Sequence, residues 1–302
     1  MAFNEIINEK GNYKILAEKI KDVKVDYNPE PYNGYSKESI NKINEMRKKA
    51  RDDPSLFDGP GIRLSTYSFD NGKLSLNLDY TTYFCHVATR KNINDEKDCA
   101  KWLGCSGITL SKDGKEYLIW VGEKSPLNEI GSGQIQLLPA GNINPINDFG
   151  FNYTVKRELY EEALKKKPLY KALKDNFEIE LLGSKRRNPK KQLVGGIKRH
   201  FLDLNCRIKL CEPYMLMNML EISSFSLAHL VFLDMKKQEI EDSFKLIPDN
   251  EKEFSNIQPV EFKKNYLDDY LKSKFNNLRP QLRAVIDSSL RNYDYLLEKL
   301  EK

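Results

Sequence analysis

Cysteine and histidine are scarce in this 302-residue chain, with five of the first and three of the second. Cys85, Cys99, Cys105, Cys206 and Cys211 are odd in number and contain no Cys-x-x-Cys pair. That argues against a zinc ribbon and against a disulfide framework. Only His86, His200 and His229 offer imidazole, so metal chemistry falls to carboxylate oxygens, which suit hard cations such as magnesium. Long apolar runs are missing as well. The longest nearly apolar stretch, Leu227 to Leu233, is far below the roughly 20 residues a membrane helix needs. The opening MAFNEIINEK carries acids and no apolar core of a secretion signal. These absences lead to the expectation of a soluble, cytoplasmic protein with no membrane partner. A dominant charge sign is lacking too. The 49 Lys and Arg stand against 44 Asp and Glu, a net charge of +5 made of interspersed charges, which calls for no dedicated nucleic-acid surface and is compatible with an anionic small molecule.

What is present, 40% hydrophobic and 31% charged residues, suffices for a sizeable core, and the length allows about two domains. Residues 1–35 mix turn formers with Tyr27, Tyr32 and Tyr35 and read as an extended arm. Ser36 can cap a helix carrying Ile40, Ile43 and Met46 to about Lys49, ended by Pro54. Ile62 to Phe69 and Lys73 to Tyr80 flank Asp70-Asn71-Gly72, a hairpin signal. Asp95 to Leu103 reads as helical. Ile108 to Leu110 and Tyr117 to Val121 form a second hairpin around Lys112-Asp113-Gly114-Lys115, and Ile135 to Leu138 is a strand ending at Pro139-Ala140-Gly141. An amphipathic helix follows over about Tyr153 to Lys166, with Val155, Leu159 and Ala163 on its apolar side. Strands are expected over Ile179 to Ser184, His200 to Ile208 and Leu230 to Asp234, and a helix over Lys236 to Phe244. One long helix from Pro280 through Leu300 closes the chain. The division expected is an N-terminal arm and helix/hairpin subdomain, 1–103, and a second domain, 104–302.

The chemistry concentrates in Arg157-Glu158-Leu159-Tyr160-Glu161-Glu162. Glu158, Glu161 and Glu162 stand at i, i+3 and i+4 and project from one helix face, where three like charges repel. Either solvent covers an acidic face, or a bound cation compensates the repulsion. Magnesium or manganese would accept such oxygens while keeping waters and substrate phosphates in its other positions.

A strand ending in Leu137-Leu138-Pro139-Ala140-Gly141, a loop, and a helix with Arg-Glu-aliphatic-x-Glu-Glu resemble the Nudix box, G-x5-E-x7-R-E-U-x-E-E-x-G-U with U aliphatic. The resemblance implies an α/β Nudix fold, a mixed β-sheet sandwiched between α-helices, here preceded by the helix-plus-hairpin subdomain. It implies that Glu161 and Glu162 are metal ligands and that Glu158 is a metal ligand or helps activate water. It further implies that Arg157 steadies the glutamates, that Gly141 lies against the substrate, and that water attacks phosphorus with Mg2+, or Mn2+, bound. The sequence departs from the pattern at three points. Gly141 to Arg157 is two residues longer, the intermediate glutamate is absent at Asn147 and Phe149 with only Asp148 acidic there, and Leu164 replaces the helix-ending glycine.

A second resemblance spans about residues 40 to 210. Pro54-Ser55-Leu56-Phe57-Asp58-Gly59-Pro60, Arg63-Leu64, Thr81-Thr82-Tyr83 and Ala88-Thr89, with Leu181-Leu182-Gly183 and Arg187-Asn188 beyond the box, resemble the Nudix branch that includes mammalian UDP-glucose diphosphatase. It implies hydrolysis of a UDP-sugar to UMP and a sugar 1-phosphate. Two rivals are an ADP-ribose or dinucleotide pyrophosphatase and a catalytically inactive nucleotide sensor of the same fold.

Diphosphate chemistry needs cations that neutralise charge as the transition state forms. Arg63, Arg90, Lys124, Arg187 and Lys198 are the candidates, each also readable as an ordinary surface charge. Tyr83 and Phe84 could stack on a base, and Asn188 could pair with a base or sugar edge. Glu212 or Glu221 could supply a further acid from a loop after the strand at His200 to Ile208. Cys85 with His86, or Cys206 with His200, lacks an orienting third group for nucleophilic catalysis. The basic run Lys185-Arg186-Arg187 with Lys190-Lys191 reads as readily as a solvated loop as it does as an RNA contact.

Overall fold

The computed structural model describes residues 6–7, 12–53, 56–92, 95, 97–126, 132–145, 150–164, 207–249 and 252–301. The expected strand at Ile179 to Ser184, most of that at His200 to Ile208, and Pro54, Asn147, Asp148, Phe149, Arg187, Asn188, Lys198, His200 and Cys206 lie outside them.

The strands are β1 (Ile6–Ile7), β2 (Tyr13–Glu18), β3 (Asp22–Pro31), β4 (Pro60–Asp70), β5 (Lys73–Thr82), β6 (Trp102–Asp113), β7 (Glu116–Lys124), β8 (Ile135–Leu137), β9 (Ala140–Asn142), β10 (Ile208–Met219), β11 (Ser224–Leu233) and β12 (Phe254–Glu261). The helices are α1 (Lys37–Asp52), α2 (Tyr83–Thr89), α3 (Phe151–Ala163), α4 (Lys237–Lys245), α5 (Lys264–Lys274), α6 (Pro280–Arg291) and α7 (Tyr293–Glu301). All twelve described strands join one mixed sheet, in the order β1-β2-β10-β11-β6-β4-β5-β3, with β7 and β9 also on β6, and β8 and β12 on β7. No described helix is long and apolar enough to cross a membrane.

β6 is the organising strand. It runs parallel to β11 along one edge. Its other edge is shared in turn by β4, β9 and β7. The sheet is covered on both faces. On one, Val155, Leu159 and Ala163 of α3 and Ile240 and Phe244 of α4 pack on Leu103, Leu227 and Val231. On the other, Leu267, Leu282, Val285, Ile286, Leu296 and Leu300 of α5, α6 and α7 pack on Ile108, Leu110 and Leu230. Such two-sided cover explains why β11 reads as a nearly continuous apolar run. Each buried leucine or valine contributes about 1.5–3 kcal/mol.

Both predicted hairpins form. β4 and β5 turn through Asn71 and Gly72, both at positive φ, and β6 and β7 through Gly114 at φ 61. Ser36 caps α1, its hydroxyl accepting from the Ser39 N–H at 3.2 Å. α3 and α4 stand where their periodicity places them.

Three expectations are corrected. The N-terminal arm is not unpacked, because Tyr13, Ile15, Leu16 and Ala17 are buried and β2 pairs antiparallel with β10. The described residues of Asp95 to Leu103 are not helical. Asp98 instead accepts from the Ser36 N–H at 2.7 Å and from Ser39 Oγ at 2.8 Å, and the chain enters β6 at Trp102. The helix in that part of the chain is α2, whose first turn is capped by Asp58 Oδ1 accepting from the Phe84 N–H at 2.8 Å. The C-terminal helix is two helices, broken at Asn292, whose amide reaches Glu18 at 3.1 Å.

Candidate functional site

β9 lies beside the N-terminal half of β6, with Gly141 opposite Cys105, so Gly141 belongs to a short strand. α3 crosses above it. A Cβ placed on Gly141 would stand 2.0 Å from the Glu158 carboxyl carbon and 2.2 Å from its Oε1. Only glycine lets that carboxyl rest on the strand.

α3 arranges its acids in depth. Glu161 is the outermost. Glu158 is mostly covered, and Arg157 Nη1 reaches Glu158 Oε1 at 2.9 Å and Glu161 Oε2 at 3.2 Å. Arg157 Nη2 also donates to the Asn142 carbonyl at 3.2 Å, and Trp102 Nε1 donates to Asn142 Oδ1 at 2.8 Å. A chain of bonds thus ties the head of β6 to the glutamates. Glu162 is 3% exposed. Its Oε2 accepts from the Ala140 N–H at 3.3 Å, while its buried Oε1 has no hydrogen-bond partner.

A fourth acid joins them. Glu253 immediately precedes β12, whose pairing with β7 sets Phe254 opposite Lys124. Glu253 is ion-paired with Lys124. Its carbonyl accepts from the Ser125 N–H at 2.9 Å. Burial pushes the Glu158 carboxyl up to about 7, offset in part by Arg157 and reinforced by Glu161 and Glu253. Burial, then the neighbouring Glu253 and Glu158 charges, hold Glu162 well above the usual carboxylate range against the pull of Lys124.

Glu158, Glu161 and Glu253 face a cavity of about 1030 Å³. Opposite them stands an apolar wall from the N-terminal segment, including Met46, Phe57, Tyr83 and Trp102. Phe57 is 74% exposed. Tyr83 meets Trp102 edge-on, with ring centroids 6.3 Å apart. Asp58 supports this wall by capping α2 and pairing with Arg47 at 3.0 Å. Arg90 also lines the cavity.

The remaining candidates fall elsewhere. Arg63 is 4% exposed, pairs with Asp79 at 3.1 Å and lies over the Tyr32 ring at 3.7 Å, so it is a structural cation and no phosphate contact. Phe84 lines the cavity but is almost wholly buried in a small cluster with Ile43, Cys85 and Ala100, which leaves no face for a base. Glu212 is on β10, not a loop, and pairs with Lys299 at 2.7 Å. Glu221 follows β10 and accepts from Asn12. Cys85 Sγ accepts from Thr82 Oγ1 at 3.3 Å, and burial pushes the His86 imidazole down to about 4. Sequence reasoning did not reach Glu253, Trp102 or Asn142. Glu253's only local sign is its place before the weakly alternating Phe254, Ile257 and Val260, a run interrupted by Pro259.

Among the described residues, no three His, Cys, Asp or Glu side chains converge as a metal cage. The donor chemistry of the cluster is nonetheless that of a hard cation, which takes one or two protein carboxylates beside water and phosphate. Glu162 Oε1 is buried with no hydrogen-bond donor, and the Glu253 carboxyl lies beside the same side chain.

No protein-family model matches the chain, and no curated protein matches it. Solved structures do. The Nudix domain of Shewanella oneidensis NrtR, complexed with ADP ribose, is similar at 11% identity over 63% of this chain and 87% of that one, with a TM-score of 0.32. A Nudix hydrolase from Alicyclobacillus acidocaldarius is similar at 9% identity over 61% and 89%, with a TM-score of 0.34. Shewanella oneidensis NrtR complexed with a 27mer DNA is similar at 15% identity over 63% of this chain and 61% of that one, TM-score 0.34. Likeness at this level resolves neither branch nor chemistry.

Proposed function

We propose that this protein hydrolyses the diphosphate linkage of a nucleoside diphosphate joined to another moiety, in the manner of a Nudix hydrolase. The observation that carries the reading is the seating of Glu158 on Gly141, with buried Glu162 behind it and a nucleotide-sized cavity in front. Repelling carboxylates are costly to bury without a compensating cation. Glu158, Glu161 and Glu162 would hold Mg2+ or Mn2+, with Glu253 beside them. Such an ion supplies charge neutralisation at a phosphoryl oxygen.

The chain's own groups account for the rest. Arg157 holds Glu158 and Glu161 in place from the Asn142 carbonyl. Arg90 and Lys124 stand near the glutamates as cations for phosphate oxygens. The Phe57 and Tyr83 rings in the cavity lining offer an apolar wall for a flat base. Glu158, facing the cavity, is either the third ligand or the group that takes a proton from an attacking water.

A UDP-sugar is the substrate class we propose, on the strength of the Leu56-Phe57-Asp58-Gly59-Pro60 resemblance and of that loop's position in the apolar wall. Purified protein incubated with magnesium and UDP-glucose, UDP-galactose, ADP-ribose or NADH, and scored for mononucleotide release, tests both layers. Release from UDP-sugars first supports the full proposal. Release only from ADP-ribose or NADH moves the substrate, and none from any, with wild type equal to Glu162→Gln, removes the enzymatic reading.

One observation favours a second reading, a nucleotide sensor that does not cleave. Arg157 already engages Glu158 and Glu161, as a cation would. Nucleotide binding that is indifferent to metal and yields no product selects it.

A further inference from the structure

Behind β9 the cavity opens into a second lobe of about 530 Å³, which shares Tyr83, Arg90, Trp102, Gly141 and Glu253 with the first. Its walls differ in kind. Four cationic side chains, Arg90, Lys124, Arg279 and Arg283, line it against two carboxylates, Glu221 and Glu253. Lys124 is paired with Glu253. Arg283 lies over the Phe275 ring at 4.2 Å and donates from Nε to the Leu278 carbonyl at 2.8 Å.

The lobe also holds a buried donor with nothing to bind. In β8 the alternation sends Ile135 and Leu137 into the core under α6, and sends Gln136 to the other face. Gln136 is 5% exposed, lines the lobe, and its Nε2 has no hydrogen-bond partner. Beside it the N-terminus of α6 is held in place, because the Arg279 N–H donates to the Ile135 carbonyl at 2.8 Å. Pro280 and Gln281, the first residues of α6, line the same space. The positive end of a twelve-residue helix, an excess of cationic side chains and an unpaired amide donor converge on one volume of ligand size.

We propose that this second lobe binds an anionic group, carboxylate or phosphoryl, carried by the moiety joined to the diphosphate, with Gln136 Nε2 and Arg279 as its donors. The inference rests on the proposed function, since it treats the two lobes as the two halves of one ligand site. It narrows the substrate class: the molecule has a diphosphate for the acidic lobe and a further negative charge beyond it.

Calorimetric titration of the full chain with two matched pairs, UDP-glucose against UDP-glucuronate and NADH against NADPH, isolates one anionic group in each. Sodium phosphate alone is the control for a free-anion site. The expected result is at least about tenfold tighter binding of the charged member of one pair. That ratio should collapse toward one in Gln136→Leu and in Arg279→Gln, with Arg279→Lys restoring part of it. Circular dichroism of each variant separates lost contacts from lost folding, and the wild-type ratio stands without them. Equal binding of both members of both pairs overturns this inference and leaves the hydrolase reading intact. Binding of none of the four overturns both. Phosphate competing as well as the charged ligands would make the lobe an anion site unconnected to the diphosphate, which also overturns it.

Discussion

Gly141 and Glu158 touch across the join of β9 and α3, so closely that a methyl on the glycine would stand 2.0 Å from the carboxyl carbon. Gly141→Ala therefore displaces Glu158 or lifts α3 from the strand. A shift of about 1 Å at a reacting group can cost about 100-fold in rate. The expected outcome is a loss of that order in mononucleotide release while the far-ultraviolet dichroism stays that of the wild type. Undiminished turnover would contradict the contact's importance.

The buried glutamates set stability against function. Glu162 has its folded-state proton affinity raised, by burial first and then by Glu253 and Glu158. A group raised in this way contributes stability below its unfolded value, about 4.5, and loses that contribution as pH rises through the folded value. At pH 8 without divalent metal that contribution is reduced and the buried carboxyl is a burden. Glu162→Gln should then melt higher than wild type by roughly 2–6 °C, with the gain shrinking toward pH 5. Thermal melts in chelator at the two pH values check this, and an unchanged or lower melting point at pH 8 would count against it.

His86 works with the opposite sign. Burial, with Arg90 nearby, pushes it down to about 4 from 6.5. The unfolded chain binds the proton first, so its contribution is complete above about 6.5 and is lost as pH falls toward 4. His86→Gln should flatten the decline in urea midpoint between pH 6.5 and 4.5 relative to wild type. Parallel declines in the two proteins would show that His86 takes no part.

Trp102 links the strand to the site through Asn142. Trp102→Phe keeps a ring against Gly61, where the indole now sits, but removes the 2.8 Å bond to Asn142 Oδ1. A loss of about 1 kcal/mol in unfolding free energy is expected. Because the Asn142 carbonyl holds Arg157, a severalfold fall in kcat with little change in KM is also expected. Steady-state kinetics and urea unfolding of the same preparation separate the two effects.

Local signals made part of this molecule legible in its sequence. Asn71-Gly72 and Asp113-Gly114 announce their hairpins, and the spacing of Val155, Leu159 and Ala163 announces α3 with its glutamates on the other side. Distance hid the rest. Tyr13 to Ala17 is too short to read as a strand without its partner β10, some two hundred residues on. Lys124 and Glu253 are separated by 129 positions and meet only because β12 pairs with β7. Glu212 looked available as a loop acid until β10 and Lys299 claimed it. Arg63 looked available for phosphate until Asp79 and Tyr32 enclosed it.

The central claim is that the α3 carboxylates, pressed against β9, are kept there for a divalent cation. Electron paramagnetic resonance of Mn2+ titrated into wild type and into Glu162→Gln, each with and without UDP-glucose, measures this directly. The account predicts bound Mn2+ in the wild type, tighter with nucleotide present, and at least about tenfold weaker binding in the variant. No bound Mn2+ in the wild type at millimolar concentration, with or without nucleotide, would contradict it.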